Sequence, residues 1–234
     1  MSRQRIVATE TLDVLPADDP RAQRSRRDLQ RLNRVMATLS AALLALDRAV
    51  AAAPPRRIVE LGGGDGTLML RLARERAARW PGVELVLLDR QDLVTPQTLD
   101  ELRALGWKPQ VVVSDVFAWL ERPAHQHWDV VFANLFVHHF AQPHLSRLLA
   151  GVAARSRAFF CCEPRRAPVA LLGSHLVRMI GANAVTREDA VASVHAGFRE
   201  RELSELWPDR RNWQLREYGA GLFCHCFLAT WIGD

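Results

Sequence analysis

The sequence predicts an α/β fold, a doubly wound and mostly parallel sheet of seven strands. Three observations carry this. Short β-rich runs alternate with helical stretches between residues 56 and 163, the runs are almost continuously apolar, and the chain closes on two more β-rich runs joined by a glycine turn. Alternation argues for parallel strands linked by helices, and continuous apolarity argues for strands covered on both faces. At 234 residues there is enough chain for one substantial core. The 49% hydrophobic and 24% charged content excludes disordered and fibrous classes.

Residues 1–54 form an N-terminal arm and helix. Pro16 and Pro20, around Asp18 and Asp19, mark the arm as irregular. Leu29, Leu32, Met36, Leu39, Leu43, Leu46 and Val50 recur at spacings of three and four, predicting one long helix that Pro54 and Pro55 stop. Residues 55–234 form the α/β domain. RIVELG, VELVLLD, QVVVSDV, WDVVFAN and RAFFCCE predict five strands, with helices over 67–79, 95–105, 116–121 and 142–155.

After Glu163 the alternation breaks, and about 167–206 reads as a helical insertion. Leu171, Leu172, His175, Leu176 and Met179 sit on neighbouring positions of its first helix, which predicts an apolar lid. Thr186 followed by Asp189 resembles the capping box that starts a helix. NWQLREY and FCHCFLATWI, joined by GAGL, predict an antiparallel hairpin.

Charge narrows the partners. The net charge is +5, but of 31 basic residues only Lys108 is lysine, and the arginines are scattered without a patch. No nucleic-acid partner is expected. The start lacks the apolar core of a signal peptide, and the most apolar stretch, LSAALLALDRAVAAA, is interrupted by Asp47 and Arg48, so a cytoplasmic location without a membrane partner is expected. Cys161, Cys162, Cys224 and Cys226 are then expected to stay reduced. No metal is expected: His225 alternates to the opposite face from Cys224 and Cys226, and neither these nor His125 and His127 have zinc-knuckle spacing. There is no G-x-S-x-G hydrolase elbow.

The chemistry concentrates at strand ends. RIVELG runs into Gly62, Gly63, Gly64 and Gly66, and Thr67 begins a helix, an arrangement that aims backbone N–H groups at a ligand. The dinucleotide fingerprint needs a glycine where Thr67 stands. Glu60 precedes the glycines, and a carboxylate there repels a pyrophosphate but attracts S-adenosylmethionine (SAM), which carries a sulfonium and an amino group. Asp89, with Arg90 beside it, ends the second strand where a carboxylate accepts from both ribose hydroxyls. Asp115 ends the third, placed to accept from the adenine amino group, with Val116 and Phe117 as ring neighbours.

Loop and acids, in this order over residues 55–165, resemble the class I SAM-dependent methyltransferases, a Rossmann-like family. The resemblance implies SAM as cofactor and places Asn134 and Leu135, at the end of the fourth strand, beside the transferred methyl. His138 and His139 follow. A methyltransferase must chiefly position the acceptor and remove its proton. A histidine, with a pKa of about 6.5, suits a phenol of pKa about 10, which makes His138 or His139 the candidate base. Glu163, ending the fifth strand, is the second candidate and, with His175 and Met179, a candidate substrate contact.

NLFVHHF, RSRRDLQRLN and NAVTREDAVASVHAGF are further similar to bacterial, UbiE-like small-molecule O-methyltransferases encoded beside type III polyketide synthases. That similarity implies O-methylation of a phenolic or polyketide-type hydroxyl in secondary metabolism. The expected partner is a small, largely apolar acceptor, and the chain is expected to be a monomer or homodimer. An RNA methyltransferase and a noncatalytic SAM-fold partner protein are the alternatives. Against the first, Asn134, Leu135 and Phe136 match the Asn-Pro-Pro-aromatic signature of base methylation only in the asparagine.

Overall fold

The computed structural model describes residues 4–51, 53–122, 127–177 and 181–233. Seven strands form one sheet: β1 (Arg57–Leu61), β2 (Glu84–Asp89), β3 (Lys108–Val113), β4 (Val130–Asn134), β5 (Ala158–Pro164), β6 (Trp213–Ala220) and β7 (Cys224–Trp231). Their order is β3-β2-β1-β4-β5-β7-β6. β1 to β5 are mutually parallel, and β7 lies antiparallel between β5 and β6. The expected hairpin is therefore present, inserted so that β7 rather than β6 meets the parallel strands.

The helices are α1 (Thr11–Val14), α2 (Pro20–Val35), α3 (Thr38–Ala49), α4 (Thr67–Arg76), α5 (Pro96–Ala104), α6 (Val116–Glu121), α7 (His144–Ala153), α8 (Pro168–Leu176), α9 (Ala184–Ala196) and α10 (Glu202–Leu206). Each sheet face has its own core. Leu46, Met69, Leu72 and Leu102 pack with Ile58, Leu85, Phe132 and Phe160 on one side, and Leu145, Leu148, Leu149 and Trp207 with Val59, Leu61, Phe159 and Phe227 on the other. Covering both faces explains why the central strands read as unbroken apolar runs. The strand order reverses between β1 and β4, and crevices for ligands open at the carboxyl ends of strands at such a switch point.

Two sequence expectations change. The helix expected through Val50 is broken: Met36 ends α2, and Ala37 takes a left-handed φ of 54° before α3 begins. α3 packs its leucines on β5 and β7, whereas α2 turns away to lie against α9, burying Ala22, Ser25 and Asp28. One straight rod could not serve both surfaces. The second change concerns Thr186 and Asp189. Asn183 caps α9, accepting from the Thr186 N–H at 2.8 Å. Thr186 instead donates its hydroxyl to Asp28 at 3.2 Å, and Asp189 accepts from the backbone N–H groups of Thr11 and Leu12 at 2.8 and 3.0 Å. The box residues thus fasten the N-terminal arm and α2 onto α9. No helix among the described residues is long and apolar enough to cross a membrane.

Candidate active site

β1 runs into the glycine loop, and the loop's backbone geometry requires glycine. Gly62 has φ 67°, and a Cβ there would collide with the Phe136 ring; Gly64 has φ 53°, and a Cβ there would project into open space. The loop is fastened to β2 by hydrogen bonds from Gly63 N–H to Leu88 carbonyl and from Gly64 N–H to Asp89 Oδ2, both 3.0 Å. Behind it opens a cavity of about 540 Å³, lined by Glu60, Asp89, Asp115, Asn134, His139 and arm residues that include Val7, Glu10, Leu12 and Asp13, among others. That is the size of a site for a cofactor and a small second molecule, which run about 300–1,000 Å³.

The glycine-loop end of the cavity assembles most of the sequence candidates. Glu60, Gly62, Gly63, Gly64, Asp89, Arg90, Asp115, Val116, Asn134 and Leu135 all line it. Gly66 does not line it and is the N-cap of α4. Phe117 faces elsewhere: its ring meets Phe140 edge-on at 5.5 Å and lies under the Arg147 guanidinium. Asp115 Oδ1 caps α6 by accepting from the Phe117 and Ala118 N–H groups at 2.8 and 3.2 Å, which leaves Oδ2 without a partner among the described residues. Asp89 accepts one backbone N–H on each oxygen, from Gly64 and from Gln91, and so stays fixed with lone pairs to spare.

Two buried acceptors here have no partner among the described residues, Glu60 Oε2 and Asn134 Oδ1. Glu60 is only 3% exposed. Burial, reinforced by Asp65 and Asp89, raises its pKa well above the ordinary carboxylate value. Asn134 is oriented by donating its amide to Asn33 Oδ1 at 3.2 Å, an oxygen that also accepts from the Thr38 hydroxyl. An unpaired buried acceptor costs about 1–3 kcal/mol. Two on the wall of one cavity are complementary to a ligand with several N–H donors and a positive charge.

The other end of the cavity holds charges that are already paired. β4 is followed by Leu135, whose φ of 51° is unfavourable by about 1–2 kcal/mol for a residue with a side chain. This turn leads into a single 3-10 turn, Val137–His139, and lets three successive N–H groups converge on Glu163. Phe136 and Val137 donate to Oε1 at 3.2 and 2.9 Å, His138 donates to Oε2 at 3.3 Å, and the His138 Nδ1 sits 2.7 Å from that same oxygen. Glu163 is 0% exposed and does not line the cavity. It is therefore an organiser of the turn, not a substrate contact or base.

His138 is 1% exposed, and its Nε2 faces Glu10 Oε1 at 3.3 Å. Burial alone would lower its pKa, but the hydrogen bonds and charges of Glu10 and Glu163 outweigh it and lift the value to about 9. His138 is thus an imidazolium with both nitrogens engaged, unsuited to accept a proton. His139 faces the cavity with its Nδ1 3.1 Å from Asp13 Oδ2, and the two imidazoles lie 4.2 Å apart. The Asp13 carboxyl is held below its ordinary range: burial pushes it up, and the His139 hydrogen bond and charge overcome that. The pair has the geometry of a base and its orienting carboxylate.

The lid differs from the expected one. No described α8 side chain lines the cavity, and His175 is exposed; Met179 lies outside the described residues. α8 packs on α9, with Gly173 against the Phe223 ring of the turn before β7. The cover is the N-terminal arm. Arg5 donates to the carbonyls of His138, Phe140 and Ala196 at 3.0, 3.2 and 2.8 Å, and its guanidinium lies 4.1 Å from the Phe198 ring centroid. Sequence reasoning missed Arg5, Glu10 and Asp13. The acids at 10 and 13 were visible, but nothing local tied them to histidines 128 residues away.

No family model matches the sequence, and comparison with curated proteins finds no relative. Solved structures do resemble the fold. It is similar to the plantazolicin methyltransferase BpumL in complex with SAH, with a TM-score of 0.66, 13% identity and 91% of each chain covered. Magnesium protoporphyrin IX methyltransferase (ChlM) from Synechocystis PCC 6803, with bound SAH, gives a TM-score of 0.60 at 15% identity, covering 89% of this chain and 93% of that one. An O-methyltransferase family protein from Burkholderia thailandensis gives 0.58 at 18%, covering 92% and 60%. The fold, a Rossmann-like sheet with an antiparallel carboxyl-terminal hairpin, is similar to that of these methyltransferase structures.

Proposed function

We propose that this chain is a SAM-dependent methyltransferase acting on a hydroxyl of a small, largely apolar acceptor of phenolic or polyketide type. The observation that carries the proposal is the unpaired pair Glu60 Oε2 and Asn134 Oδ1 on the cavity wall. A carboxylate and an amide oxygen complement the ammonium of the cofactor's amino acid moiety, and Asp89 complements two ribose hydroxyls. Asp115 Oδ2 is the corresponding acceptor for the adenine amino group. SAM would supply an electrophilic methyl on a sulfonium. The acceptor subsite lies between Phe136, Phe140 and Leu12, apolar side chains on the cavity wall, and the His139–Asp13 pair. Within the protein alone His139 takes the acceptor's proton, because His138 has neither nitrogen free.

The arm lines the acceptor end of the cavity and would help to orient the acceptor's oxygen toward the methyl. The test is incubation with SAM and a panel of alkylresorcinols, pyrones and flavonoid-like phenols, read by mass spectrometry. The expected result is a product heavier by one CH₂ with stoichiometric S-adenosylhomocysteine. SAM binding without methylation of any acceptor in the panel would count against O-methylation of this class.

A further inference from the structure

We propose that Glu10, His138 and His139 form a binding site for a divalent transition-metal ion of the zinc type, open toward the acceptor. The inference rests on the pocket being a methyl-acceptor site and names how that site would lower the acceptor's pKa. One donor atom from each of the three residues lies within 4.8 Å of the others. Four-coordinate ligands at about 2.0–2.2 Å from zinc stand about 3.3–3.6 Å apart, so the 3.3 Å between His138 Nε2 and Glu10 Oε1 already suits a shared ion. His139 has to close by on the order of 1 Å.

The second observation is what stands behind the imidazoles. Histidines that bind metals donate their other ring N–H to a carboxylate or carbonyl, which fixes the tautomer and raises basicity. Here both do: His138 Nδ1 is 2.7 Å from Glu163 and His139 Nδ1 is 3.1 Å from Asp13. That leaves Nε2 of His139 for coordination, and at His138 the ion would replace the Nε2 proton now shared with Glu10. A single buried tether would explain Glu163 and His138, but not a second, parallel carboxylate–histidine pair beside it.

Charge and donor type agree. With neutral imidazoles the cluster holds the carboxylates of Glu10, Asp13 and Glu163, set against the charges of Arg5, which donates to the His138 carbonyl, and Arg90, which acts on Asp13. Two imidazoles and one carboxylate suit zinc, cobalt(II) or iron(II), whereas magnesium prefers an all-oxygen shell. All three residues line the cavity, so three protein ligands leave a fourth position facing the acceptor, as catalytic sites do. An acceptor oxygen in that position loses its proton to solvent, uses its lone pair to take the methyl carbon, and leaves the S–C electron pair on sulfur. The metal keeps its oxidation state.

The experiment uses the full-length, tag-free chain after chelator dialysis. Zinc chloride is titrated calorimetrically, and cobalt(II) is added separately to record its visible absorption. The site is expected to take up a single zinc ion per chain and to give a cobalt spectrum of low-coordinate nitrogen and oxygen ligation. E10Q and H139A are expected to weaken zinc by about 100-fold or more, and D13N by about 10–100-fold, as outer partners of metal ligands do. Circular dichroism and SAH binding report folding of each variant independently. A folded wild-type chain that binds no zinc, or one whose affinity is unchanged in folded E10Q and H139A, would overturn the site. Methylation by chelator-treated protein that zinc does not alter would also overturn it and leave the methyltransferase reading standing. Zinc binding that is lost in the variants, with no acceptor methylated, would sustain the site and sink that reading.

Discussion

The two ends of the cavity treat buried charge in opposite ways. At the nucleotide end Glu60 and Asn134 are left with unpaired oxygens, a cost the fold carries while no ligand is there. At the acceptor end Glu163 takes four hydrogen bonds and His138 is bracketed by two carboxylates. The first end is prepared for a partner that arrives with its own donors. The second is a finished network that holds a turn and an arm in place. Removing a group should therefore stabilise the protein at one end and destabilise it at the other.

The largest effect is expected from Glu163→Ala. It strands three backbone N–H groups and a buried imidazolium, so thermal or denaturant unfolding should show a loss of about 3–5 kcal/mol. A loss below 1 kcal/mol, roughly the worth of one ordinary hydrogen bond, would mean that the network does not hold the turn. Asp89→Ala comes next and acts on binding: calorimetry should show SAM weakened by about 1.5–3 kcal/mol, roughly 10- to 150-fold.

Glu60→Gln tests the contrast most sharply. A buried acid with a raised pKa binds more protons when folded, so its stability penalty grows as pH rises above the ordinary value. The variant should melt higher than wild type at neutral pH, by about 2–4 °C for each kcal/mol relieved, yet bind SAM less tightly. A lower melting temperature would contradict the assignment. The smallest effect concerns His138 in metal-free protein. Its pKa is raised from 6.5 to about 9, so its contribution is complete below the ordinary value and is lost as pH rises through about 9. Hydrogen-exchange protection of residues 5–14, taken relative to the intrinsic rate at each pH, should fall across that range, as the imidazolium between Glu10 and Glu163 loses its proton beside Arg5, Asp13 and His139. Unchanged protection would show that His138 does not tether the arm.

The same contrast governs what the sequence could show. Nucleotide-end residues each follow their own strand, and β-rich runs, glycines and terminal acids are local signals, so Glu60, the loop, Asp89 and Asp115 could be read in order. Phe117 was misplaced because α6 begins at once and its cap turns the ring toward Phe140. The acceptor end is made by contacts between residues far apart. Glu163 ends a strand as Asp89 does, yet it points into the turn after β4, and only the left-handed Leu135 makes that possible. The lid went to the wrong helix for a related reason: α8 is apolar because it packs on α9, whereas the arm that covers the cavity shows little periodicity and is held by Arg5 and Asp189. The break at Ala37 was masked because leucines on both sides keep a helical spacing while facing different surfaces.

The most direct test of the account is calorimetric titration of S-adenosylhomocysteine into wild type, Asp89→Ala and Glu60→Gln. The expected result is saturable binding to wild type, weakened in both variants by about 10-fold or more. Equal affinity in all three, or no binding to a folded wild-type chain, would contradict the claim that these strand-end carboxylates hold the cofactor.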